Sequence, residues 1–118
     1  MHKIKLAWLG LALGSTVSVA GECVPPEPPT VPDGGSSSKE QMLAGQKAVK
    51  TFLVTNLEYM ACLAPQITAA QAELEPGSEE ASATVKKLEE RYNEAVSAEE
   101  SLADQFDKEI QAYRTANP

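Results

Sequence analysis

Cys23 and Cys62 are the chain's two cysteines, and the segment between them changes character halfway. Cys23-Val-Pro-Pro-Glu-Pro-Pro-Thr-Val-Pro32 is followed by Asp33-Gly34-Gly35 and three serines. Prolines fix φ near the polyproline II value and donate no amide hydrogen, so this part reads as an extended arm ending in a turn. From Lys39 the composition shifts to helix formers. A bridge between the cysteines folds the arm back along that helix. Polyproline II advances about 3.1 Å per residue, so residues 23–33 span roughly 31 Å, while a helix from Lys39 to Cys62 rises about 35 Å. The match predicts an arm antiparallel to the first helix, and Cys62, projecting on the same side as Tyr59 and Ala48, puts it beside Phe52 and Tyr59, with Pro25, Pro26, Pro28 and Pro29 placed to stack on those rings.

The first twenty residues read as a secretory signal peptide cleaved after Ala20: basic Lys3 and Lys5, an apolar run Leu6–Leu13, and small residues Ser18-Val19-Ala20. The apolar run is shorter than the roughly 20 residues a membrane span needs. Export to a periplasmic or secreted location implies an oxidising compartment, in which two cysteines are read as one disulfide, Cys23–Cys62. Cleavage removes the single histidine (His2) and the single tryptophan (Trp8). It also removes two of the ten basic residues and none of the seventeen acidic ones, taking the net charge from −7 to −9. Such a chain repels phosphate backbones, which excludes nucleic acid as a natural partner.

Ser37-x-x-Glu40 and Ser38-x-x-Gln41 each have capping-box spacing, so a helix starts near Lys39. Met42, Val49, Leu53, Asn56, Met60 and Leu63 share one face. Phe52 and Tyr59 lie on one flank, and Leu57, Leu43 and Val54 on the other. This arc is too wide for a helix with one partner, so two neighbours are predicted. Pro65 predicts a kink near Ala64 without a stop, because Ile67, Ala70 and Leu74 keep the phase. The cluster Glu75-Pro76-Gly77-Ser78 predicts a turn, with Ser78 capping a second helix. That helix carries the narrower stripe Val85, Leu88, Tyr92, Val96, Ala103, Phe106, Ile110 and Tyr113. The predicted fold is therefore all-α: a signal peptide (1–20), a proline-rich arm and turn (21–38), and a long antiparallel two-helix hairpin (39–118) of helices 39–75 and 79–115, with the arm disulfide-linked to helix one.

The mature chain has no imidazole and both thiols are committed, so Ser/His or Cys/His catalysis and the common zinc sites have no residues to use. Neither a catalytic residue nor a cofactor site is predicted, and no small-molecule substrate is evident. The carboxylates Glu79, Glu80, Glu89, Glu90, Glu94, Glu99, Glu100, Asp104, Asp107 and Glu109 read first as a solvated acidic face, with local pairs such as Asp104–Lys108. Two polar residues fall within apolar stripes. If residue i of one helix faces roughly 153 minus i, Asn56 and Glu99 meet in a polar layer that fixes register. The competing reading is a Glu99 stem bent outward to water.

The residues Pro32-Asp33-Gly34 after a cysteine, Met42-Leu43-Ala44-Gly45-Gln46-Lys47-Ala48-Val49-Lys50, Tyr59-Met60-Ala61-Cys62-Leu63 and Tyr92-Asn93-Glu94-Ala95-Val96, with Phe106 and Tyr113-Arg114, span most of the mature chain. In these the chain resembles a family of small, exported, uncharacterised α-helical proteins of Gram-negative bacteria. The resemblance implies a helical exported protein and transfers no functional residue. The expected function is a periplasmic, non-catalytic binding or structural module whose partner is another envelope protein or a second copy. The alternatives are carboxylate-based divalent-cation binding and an envelope-anchored helical rod with an uncleaved signal.

Overall fold

A computed structural model describes residues 22–74 and 78–118. The expected signal peptide and its cleavage point after Ala20 lie outside the described residues, as does the centre of the hairpin turn at 75–77. The described residues form two packed helices, α1 (Lys39–Ala72) and α2 (Glu79–Ala116), with no strands. At about 1.5 Å per residue they are roughly 51 and 57 Å long.

Of the two capping boxes, Ser38 makes the one that forms. Its hydroxyl accepts from the Gln41 amide at 3.1 Å, while Gln41 Oε1 accepts from the Ser38 amide at 2.7 Å. The helix then passes through Pro65 without stopping. Proline leaves the Ala61 carbonyl without its usual amide partner, but Leu63 and Ile67 on either side keep the stripe packed on the core. α1 ends at Ala72, short of the expected 75. Its last turn tightens there, with the Glu73 amide donating to Ala70 and Gln71 carbonyls and the Leu74 amide to Gln71. Ser78 is the N-cap residue of α2, but its side chain makes no capping bond. Glu79 and Glu80 in the first turn offset the helix dipole instead.

Cross-helix bonds show the antiparallel course. Asn56 meets Ala95 and Glu99, Tyr59 meets Arg91, and Gln71 meets Glu89. The buried side chains form two clusters. One joins Tyr59, Met60, Leu63 and Ala95 to Cys23, and the other joins Met42, Val49, Phe52, Leu102 and Phe106. The Asn56–Glu99 contact lies between them.

The arm occupies the groove between both helices, whereas the length match alone lays it along helix one. It runs antiparallel to α1, from Cys23 at Cys62 to Pro32 at Gly45, and its far end reaches α2 at Glu109. From Cys23 to Pro32, burial recurs at Cys23, Pro26, Pro29 and Pro32, joined by Val31, while Val24, Pro25, Glu27, Pro28 and Thr30 are exposed. Three residues per turn is the period of polyproline II, so one edge of the arm faces the helices. That period corrects the expected stacking of four prolines: Pro26 and Pro29 line a groove with Phe52, and Pro25 and Pro28 point to solvent.

Candidate functional site

The Cys23–Cys62 disulfide pins the upper end of the arm, with Cα atoms 5.8 Å apart. Cys23 is buried, and its sulfur accepts from Gln66 Nε2 at 3.4 Å. Arg91 of α2 completes the clasp. Its Nη2 donates to the Cys23 carbonyl at 2.6 Å, its Nε donates to the Tyr59 hydroxyl at 3.1 Å, and its guanidinium carbon lies 5.6 Å from the Tyr59 ring centroid. The guanidinium thus satisfies a backbone carbonyl that the arm, lacking secondary structure, leaves without a partner.

The lower end is held by close approach. The Gly34 amide donates to Glu109 Oε1 at 2.8 Å, and a Cβ on Gly34 would overlap the Glu109 carbonyl and come 2.9 Å from the Tyr113 amide nitrogen. A Cβ on Gly45 would lie 2.6 Å from Pro32 Cδ. Both glycines are sites where the arm touches helix backbone, and any side chain there would push the two apart.

Sequence reasoning missed Arg91 and placed Glu109 on the solvated acidic face, where the structure instead has it half-buried against the arm, because only apolar residues were counted when locating the faces of α2. A signal was present in their spacing. They are about five turns apart, at 3.6 residues per turn, so they share one edge of the helix. That edge borders the apolar stripe where a third segment fits.

Phe52 and Tyr59 are both buried, at 4% and 6% exposure. Phe52 lies in the lower cluster, against which Val31 of the arm packs. Tyr59 lies in the upper one, beside Cys23.

Asn56 and Glu99 are brought together. Asn56, 2% exposed, donates through Nδ2 to Glu99 Oε2 at 2.9 Å and to the Ala95 carbonyl at 3.0 Å. The half-buried Glu99 therefore turns inward to an amide, not outward to water. A hydrogen-bonded pair between two apolar clusters favours one helix register, since sliding either helix would strand the amide.

Among the described residues nothing covers the other flank of α1. Leu43, Val54 and Leu57 are 53%, 60% and 63% exposed. The arm supplies the second neighbour that the wide apolar arc calls for, and it lies on the Phe52 side. The carboxylates are spread along α2. Asp104 pairs with Lys108 at 3.2 Å in solvent, Glu89 accepts from Gln71, and Glu109 holds the arm. Among the described residues no three acidic or cysteine side chains converge as a metal site would need, and no helix is long and apolar enough to cross a membrane. Comparison with protein-family models, curated proteins and solved structures finds no match.

Proposed function

We propose that this chain is an exported, non-catalytic binding module whose working surface is the uncovered flank of α1. The observation that carries the reading is the contrast in exposure along one helix: Phe52 and Tyr59 lie beneath the arm, while Leu43, Val54 and Leu57 remain open. Apolar side chains aligned on a rigid rod are what helix-in-groove and helix-on-helix recognition use. The rest of the molecule suits a scaffold. Its thiols are spent in the bridge, its described residues hold no histidine, and its acidic face is solvated.

The test compares the mature protein with Leu57→Glu by light scattering and by fluorescence of an apolar dye. The native chain should bind dye or self-associate, and the substitution should suppress both. A strict monomer that binds no dye would overturn the reading. Mass spectrometry of the mature N-terminus then distinguishes a free module from an anchored rod.

A further inference from the structure

The exposed flank of α1 has a composition that narrows its partner. Leu43, Lys47, Lys50, Val54, Leu57 and Ala61 are all exposed and follow one another at alternating steps of four and three. That is the spacing of a coiled-coil seam, about 27 Å long at 1.5 Å per residue, on the outside of the hairpin. Two of its positions are lysines, and Lys39 stands one turn before Leu43. None of the three lysines makes an ion pair among the described residues.

We propose that this seam receives an amphipathic helix of another protein, with apolar knobs facing Leu43, Val54 and Leu57 and carboxylates facing Lys47 and Lys50. The inference rests on reading the flank as a binding face and adds the chemistry of what binds. Charge complementarity selects this occupant over the others. A second copy aligned in parallel sets each lysine opposite itself, where like charges repel. A second copy aligned antiparallel about the middle of the seam sets Lys47 opposite Leu57 and Lys50 opposite Val54, so each seam ammonium faces an apolar side chain. The chain's own acidic surface has the right charge but lacks knobs: the exposed positions of α2 around Glu90, Asn93, Glu94, Ser97 and Glu100 are polar throughout. An anionic bilayer would attract the three lysines, but its extended negative surface also meets the acidic excess spread over the rest of the chain, whereas a single helix meets the seam alone.

The experiment uses three synthetic amphipathic peptides with the same leucine seam and flanking Glu, Gln or Lys, titrated into the mature protein and followed by fluorescence anisotropy. The Glu peptide should bind at least about tenfold tighter than the Lys peptide, and the gap should close at high salt. The double substitution Lys47→Glu/Lys50→Glu should invert the order, and Leu57→Glu should abolish binding of every peptide. Equal binding of all three peptides overturns the acidic partner while leaving the binding face in place. The acidic partner is overturned in the same way if no peptide binds but the native protein forms a dimer, or binds phosphatidylglycerol vesicles, and Leu57→Glu abolishes that association. If no peptide binds and Leu57→Glu changes neither association nor dye binding, the face and its partner both fall.

Discussion

The two flanks of α1 carry similar residues and meet opposite fates. Phe52 and Tyr59 are nearly inaccessible, whereas Leu43, Val54 and Leu57 are each more than half exposed. Helix propensity and hydrophobicity do not separate them. A bound third segment does. The arm has no helix or strand of its own, so its place depends on a disulfide at one end, a glycine contact at the other, and hydrogen bonds exchanged with α2. In a chain this small, a few such attachments decide which apolar face becomes core and which stays open.

The largest effect should come from releasing the arm. Reducing the disulfide, or replacing Cys62 by Ser, should lower stability by about 4 kcal/mol in the loop-entropy view, or by less if the bridge is strained. Thermal melting with and without a thiol reductant measures it. Hydrogen exchange then shows where the loss falls: faster exchange around Phe52 and Tyr59 would make the covered flank resemble the open one. An unchanged melt would mean that the helices bury that flank without help from the arm.

Gly34→Ala should come next. Backbone lies where its Cβ would go, so the arm must lift from Glu109, at a cost of about 2–3 kcal/mol. Gly35→Ala is the control, because its Cβ would find Asp33 Oδ1 at 3.5 Å, an ordinary contact. Chemical denaturation of the pair should separate them clearly. Equal costs would show that chain flexibility, not close approach, is what glycine contributes in this turn.

Much of this is legible in the sequence alone. The capping spacing at Ser38, the heptad-like stripes and the breakers at 75–78 are local signals, and a helix needs nothing more to be read. The bridge follows from cysteine count and the expected oxidising compartment, and the length match places the arm's direction. What stays hidden is three-body packing. A wheel shows that α1 has surplus apolar surface, and Cys62 puts the arm on the Phe52 and Tyr59 side, but neither says that the arm will choose the groove shared with α2. That choice depends on Arg91 and Glu109 of α2, polar residues that a hydrophobic count passes over. The second neighbour is expected from the arc; the groove between two helices is not, because the arithmetic compares the arm with one helix at a time.

The polar layer tests whether register underlies the whole arrangement. A slip of one turn would carry Arg91 and Glu109 away from the arm, and the covered flank would lose both attachments. Glu99→Leu should cost about 1 kcal/mol, because the buried Asn56 amide loses a charged acceptor. Asn56→Leu should be destabilising as well, leaving Glu99 half-buried without its donor. The double substitution should cost less than the two singles together, with a coupling of about 1–2 kcal/mol in a double-mutant cycle of melts. Additive effects would mean that the contact forms without fixing register.

The smallest expected change is on the open flank, and it is the most informative about function. Leu57→Gln removes an apolar side chain that is 63% exposed, so little burial is lost and glutamine is a good helix former. Stability of the isolated protein should move by less than about 0.5 kcal/mol, as for an ordinary surface position. Phe52→Ala, one and a half turns away on the covered flank, should cost about 3–5 kcal/mol under the same denaturant titration. If Leu57→Gln instead destabilises the protein by more than about 1 kcal/mol at high dilution, the leucine is supporting the fold and the contrast between flanks collapses. If it leaves the fold intact while dye or peptide binding is lost, the same helix has one side for holding itself together and another for holding something else.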